Sequence, residues 1–91
     1  MDFEGTSRTV KTERGALHYH EAGEGPPLLL LHGSGPGVSG WANFGANLPV
    51  FAQHYRCLVL DLPGYGKSDP VAGHPVMVGA QAVRDFLAAL G

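Results

Sequence analysis

Polar and apolar residues alternate over the start of the chain. From Thr6 to Thr12 the alternation is weak, with Val10 the main apolar residue. From Ala16 to Glu21 it is regular, with Leu17 and Tyr19 on one face and His18 and His20 on the other. A period of two predicts strands with one buried and one wet face. Glu13 to Gly15 between them reads as a turn, so the segment predicts a β-hairpin. Ala22 to Pro27 is a loop. Leu28 to Leu31 is apolar without alternation, as in a central strand covered on both faces. Between Trp41 and Phe51, apolar residues fall at 41, 44, 48 and 51, a helical spacing that Gly45 and Pro49 weaken. Arg56 to Leu62 reads as a second buried strand and Pro63 to Pro75 as a long loop. Val76 to Leu90 predicts an amphipathic helix with Val83, Phe86, Leu87 and Leu90 on one face. Gly91 follows where a C′ glycine would stand.

The predicted order is hairpin, strand, helix, strand, helix. Strands alternating with helices imply an α/β class, with a parallel sheet flanked by helices. The last helix should feed a further parallel strand, and an uncovered apolar edge would be sticky in water. Residues 1–91 are therefore expected to be the N-terminal segment of a single larger domain, incomplete at its C-terminus.

Composition adds mainly exclusions. The 91 residues are 44% hydrophobic and 15% charged, which suits a globular chain. A net charge of −2, with no basic block, gives no reason to expect a nucleic-acid or membrane surface as partner. A single cysteine, Cys57, cannot form an internal disulfide, and the acidic start carries no apolar segment behind it. Both point to a cytoplasmic setting. His18, His20, His54 and His74 lack ligand-like companions, so no metal site is expected.

The chemistry concentrates in Leu28–Trp41, LLLLHGSGPGVSGW. A buried strand stops at His32, and four glycines follow within eight residues. Gly35, Gly37 and Gly40 fit G-x-G-x-x-G, and Asp61 ends the next strand about where an acidic residue would meet a ribose. A dinucleotide-binding module is thus one reading. Against it, Pro36 sits inside the motif, and His32 to Ser34 separate the strand from its first glycine. GYGKS, from Gly64 to Ser68, suggests a phosphate loop, but the first glycine of that pattern falls on Asp61, an anion. A third reading is an oxyanion site. In α/β-hydrolases a His-Gly-rich loop after the third strand supplies a backbone N–H to the oxyanion hole. Such an N–H must come within about 2.7–3.1 Å of the developing negative oxygen. Glycine leaves room for the substrate and permits the required backbone angles. Here the loop offers the amides of Ser34 and Gly35.

The stretch from Leu28 to Pro70 resembles an α/β-hydrolase in LLLLHGSGPG, in Trp41 and in VLDLPGYGKSD. More narrowly, HGSGPGVSGWANF resembles the meta-cleavage product hydrolases of aromatic and steroid ring degradation. These cleave a carbon–carbon bond in a 2-hydroxy-6-oxo-dienoate. The resemblance implies that Ser34 and Gly35 lie at the oxyanion and substrate site and that Asn43 contacts the polar dienoate end. It implies a small-molecule substrate, no cofactor, and room for an oligomer in the complete enzyme. None of Ser34, Ser39 and Ser68 sits in G-x-S-x-G. In the family the nucleophile, acid and catalytic histidine all follow in that order. The resemblance therefore places them beyond Gly91 and implies that this segment alone is inactive. Two further alternatives stay open, a hydrolase of esters and a fragment with no activity of its own.

The remaining polar residues are expected to be structural. His32 ties its loop to neighbouring backbone. Asp61 and Ser68 brace theirs through side chain–backbone hydrogen bonds. Trp41 and Cys57 pack.

Overall fold

A computed structural model describes all residues, Met1–Gly91. A one-turn helix α1 (Phe3–Thr6) leads into a hairpin of β1 (Ser7–Thr12) and β2 (Gly15–Ala22). There follow β3 (Pro27–Leu31), the short helices α2 (Gly40–Phe44) and α3 (Leu48–Phe51), β4 (Arg56–Leu60) and the long α4 (Pro75–Leu90). The strands form one sheet in the order β1-β2-β4-β3. β1 and β2 are antiparallel, with Thr12 opposite Gly15, so the turn is two residues long. Gly15 holds φ at +137°, a conformation that favours glycine. β2 and β4 are antiparallel, with Tyr19 opposite Leu60. β3 and β4 are parallel, with Leu28 opposite Cys57.

The central strand is β4. Its side chains alternate between two cores, and Cys57, Leu58, Val59 and Leu60 are all buried. Leu58 and Leu60 join Leu17 and Tyr19 against Ala82 and Phe86 of α4. Cys57 and Val59 join Ala22 and Leu48 on the opposite face, flanked by Trp41, Phe44 and Phe51. Burying one such large side chain contributes about 1.5–3 kcal/mol.

Four expectations change. Within residues 1–91 β3 is an outer strand, hydrogen-bonded only to β4, and Leu31 is 42% exposed rather than covered on both faces. The helix expected over 41–51 is two helices. Pro49 has no N–H to bond the Gly45 carbonyl, and the chain breaks between them. On α4, Ala82 and Phe86 are buried, with Val83 and Leu90 beside them, but Leu87 is 49% exposed and lies off that stripe. Finally, β2 has no wet face, and the exposed strand positions of the hairpin, Arg8, Thr9 and Lys11, are all on β1. His18 and His20 are as buried as Leu17 and Tyr19. They lie beneath α1 and α2, where Phe3 stacks on His18, meets His20 edge-on and touches Trp41.

Candidate active site at the end of the parallel strands

β3 and β4 run parallel, so both deliver their next residues to the same edge of the sheet. From β3 come His32 and the glycine loop, and from β4 come Asp61 and the loop that carries Tyr65. Between these loops and the start of α4 lies an open cleft of about 420 Å³. His32, Ser34, Tyr65, Pro75, Val76 and Gly79 are among its walls. A second hollow of similar size adjoins it, bounded by Gly35, Gly37, Val38, Gly64 and Gly66. Tyr65 lines both.

The glycine loop is fastened at both ends to consecutive residues of one strand end. At its start, His32 Nδ1 donates to the Gly33 carbonyl at 2.6 Å, and His32 Nε2 accepts from the Leu62 amide at 3.0 Å. The second bond fixes the tautomer, because an acceptor nitrogen carries no proton. At its far end, the Gly40 amide donates to Asp61 Oδ1 at 2.8 Å. A Cβ on Gly40 would stand 2.7 Å from Val59 Cγ1, so only glycine lets the chain lie this close. Ser39 then caps α2 by accepting from the Ala42 amide at 3.1 Å.

Between these anchors the loop is held by little besides itself. Its single internal backbone bond runs from the Val38 amide to the Gly35 carbonyl at 3.3 Å. The amides of Ser34 and Gly35 donate to no other group of the chain. Gly35 holds φ at +134°, in the region that side chains disfavour. Ser34 lines the cleft and Gly35 the adjoining hollow, and both keep free donors. Asn43 does not join them. It is exposed on α2 and lines neither hollow.

Asp61 does more than brace a loop. Its Oδ1 takes the Gly40 amide, while Oδ2 takes the Lys67 amide at 3.2 Å and His18 Nδ1 at 2.7 Å. Gly66 has no Cβ because the Asp61 carboxylate fills that place. Ser68 donates to the Asp61 carbonyl at 2.6 Å and accepts from the His18 amide at 2.8 Å. His18 Nε2 lies 2.6 Å from Ser7 Oγ. The bracing roles read from sequence for His32, Asp61 and Ser68 thus hold. Ser7 and His18 were missed, because nothing in the alternating pattern of a hairpin marks a histidine as buried.

His20 sits beside this chain of bonds. Its Nδ1 lies 2.8 Å from Thr6 Oγ1, which also lies 3.0 Å from the Asp2 carbonyl oxygen. Nε2 is left buried without a partner. Burial lowers the pKa of His20 from its ordinary 6.5, and the nearby His18 lowers it further.

This geometry closes the dinucleotide reading of Gly35, Gly37 and Gly40. Asp61 is buried with both oxygens engaged, so it presents nothing to a ribose. Residues 26–91 match the α/β hydrolase fold family.

The chain belongs to the α/β-hydrolase fold family.

Among its relatives in that family is a 2-hydroxy-6-oxononadienedioate/2-hydroxy-6-oxononatrienedioate hydrolase of Dechloromonas aromatica. It is 43% identical over 94 aligned positions, covering 94% of this chain and 32% of that protein. A 2-hydroxy-6-oxo-6-phenylhexa-2,4-dienoate hydrolase of Comamonas testosteroni is 44% identical over 78 positions, covering 82% of this chain and 27% of the other. Among solved structures, a meta-cleavage product hydrolase of Pseudomonas fluorescens IP01 superposes with a TM-score of 0.87 at 29% identity. That match covers 97% of this chain and 33% of that one. The narrower resemblance to meta-cleavage product hydrolases is thus borne out. The chain spans about a third of the length of the relatives it matches. No helix is long and apolar enough to cross a membrane.

Proposed function

We propose that this chain forms the oxyanion-loop portion of a serine-nucleophile hydrolase that cleaves a carbon–carbon bond in a meta-cleavage product. The observation that carries the reading is the pair of unengaged amides, Ser34 and Gly35, where the cleft and its adjoining hollow meet at the C-terminal ends of two parallel strands. The names of the relatives supply the substrate class, a 2-hydroxy-6-oxo-dienoate.

When a nucleophilic hydroxyl adds to the ketone carbon, the carbonyl oxygen becomes an anion. Two preorganised N–H groups stabilise that charge without reorganising at the moment of reaction. His32 and Asp61 supply the preorganisation by fixing the ends of the loop. The exposed amide of Asn43, one helix away, is assigned to the polar dienoate end. The nucleophile, the acid and the general-base histidine are assigned to chain beyond Gly91.

The test is an assay of the 91-residue chain on p-nitrophenyl acetate and on a 2-hydroxy-6-oxo-dienoate. Neither is expected to turn over above the background of heat-denatured protein. Turnover abolished by Ser34→Ala would put the nucleophile inside the loop and overturn the backbone-donor reading.

A further inference from the structure

The walls of the cleft come from three separate stretches of chain, and one buried carboxylate touches two of them. Asp61 holds the end of the glycine loop through Gly40 and the Tyr65 loop through Lys67. A carboxylate that is 2% exposed stays in place only while its lone pairs are satisfied. Two backbone amides satisfy part of that demand. The remaining donor is His18 Nδ1, from the neighbouring hairpin. His18 is in turn fixed from both sides, by Ser7 Oγ at Nε2 and by Phe3 stacked on its ring at 5.6 Å between centroids.

We infer that His18 is a positioning residue of the cleft, acting through Asp61 to set where the Ser34 and Gly35 donors stand. The inference rests on the oxyanion reading of those two amides. The order of atoms from Ser7 Oγ through His18 Nε2 and Nδ1 to Asp61 Oδ2 is also that of a hydrolytic triad. Phe3 covers the imidazole, however, and neither hollow at the sheet edge includes Ser7. The assembly holds Asp61 still and attacks nothing.

Two substitutions separate donation from bulk. His18→Asn places an amide N–H₂ where Nδ1 was. His18→Gln keeps similar size but moves the donor toward the place of Nε2, away from Asp61. The 91-residue chain, labelled with ¹⁵N, is titrated with acetate as a probe for an anionic oxygen, and amide hydrogen exchange is followed in the same samples. In the unaltered chain the Ser34 and Gly35 amides shift saturably. In His18→Gln, exchange at Gly40 and Lys67 speeds up about tenfold or more, and acetate binds about tenfold more weakly. Leu58 and Phe86 keep their protection, which shows that the fold survives. His18→Asn returns both readouts to within about twofold of the unaltered chain.

If acetate moves neither amide in the unaltered chain, the oxyanion reading fails, and with it the purpose assigned to His18. If acetate binds but His18→Gln leaves Gly40, Lys67 and the affinity unchanged, the oxyanion reading stands and the positioning role is wrong. His18→Asn behaving no better than His18→Gln also overturns it, because ring packing rather than donation would then be what matters. Covalent labelling of Ser7 by a fluorophosphonate would overturn it too, and would make the same assembly a nucleophile.

Discussion

On one face of the sheet, Leu17, Tyr19, Leu58 and Leu60 meet Ala82 and Phe86 of α4 without a polar atom among their side chains except the tyrosine hydroxyl. On the other face, the apolar pair Cys57 and Val59 gives way toward the C-terminal edge to Asp61, and on β2 to His18 and His20. Both faces exclude water. The first does so with groups that lose little by shifting slightly, because dispersion and apolar burial are non-directional. The second relies on groups that must meet specific partners at specific distances, because an unpaired buried polar atom is costly. The α4 face therefore supplies stability, and the α1–α2 face supplies position. The cleft lies between the two, with Pro75, Val76 and Gly79 of α4 on one side and the loops held by Asp61 and His32 on the other.

Phe86→Ala should separate the two faces most widely. It removes a ring with no exposed surface and should cost about 3–5 kcal/mol, read as a lowered denaturant midpoint. The Gly40 and Lys67 amides should keep their chemical shifts in the chain that stays folded. Shifts there as large as those beside residue 86 would erase the distinction between the faces.

Asp61→Asn comes next. The amide keeps one acceptor oxygen but replaces the other with a donor facing the Lys67 N–H and His18 Nδ1. A hydrogen bond to a charged group is worth about 1.5–3 kcal/mol, and the loss should be of that order. Unlike Phe86→Ala, it should move the resonances of both cleft loops. A variant of unchanged stability would mean that the carboxylate is not satisfied by these donors.

Around and below neutral pH, the pH dependence should come from the polar face, through His20. The folded-state pKa of His20 lies below its ordinary 6.5, so between those two values the unfolded chain binds more protons than the folded one. Stability then rises with pH across that window and levels off above 6.5. The protonated ring carries an N–H on both nitrogens with no acceptor at Nε2, beside His18 and Lys67 and countered only by Asp61. Urea midpoints measured between about pH 5 and 7.5 should show this slope, and His20→Phe should flatten it. A slope of the opposite sign would show that His20 is held charged in the fold.

Asn43→Ala should have the smallest effect on stability, within about 0.5 kcal/mol, because the side chain is exposed and makes no hydrogen bond. A loss above about 1 kcal/mol would give Asn43 a structural role and weaken its assignment to the substrate.

Much of the fold was legible because apolar burial leaves a period in the sequence. Both hairpin strands, the parallel pair and α4 follow from it, as does the edge at which the glycine loop emerges. The oxyanion loop was legible for a different reason, since a run of glycines after a strand is costly unless something must come close. What could not be read was the burial of His18 and His20. Polar residues alternating with Leu17 and Tyr19 look like a solvated face, and the element that covers them gives no periodic signal. α1 is four residues long, capped by Asp2 accepting the Gly5 amide, and it contributes one ring, Phe3. Ser7 was invisible for the same reason, because its partner lies eleven residues away across a turn. The break between α2 and α3 was only half legible. Gly45 and Pro49 announce it, but the even spacing of Trp41, Phe44, Leu48 and Phe51 masks it.

The two ends of the glycine loop stand on neighbouring residues, Leu62 through His32 and Asp61 through Gly40. An arch whose feet share one footing keeps its span however the masonry between them is rearranged. Variation at Pro36 and Val38 would change the shape of the crown without spreading the feet, and a mutation under the footing would tilt the whole arch. The segment is thus divided into a few positions free to drift under selection for new ligands and a frame that is not, made of the anchors His32 and Gly40, the glycine at 35 and the Ser39 cap.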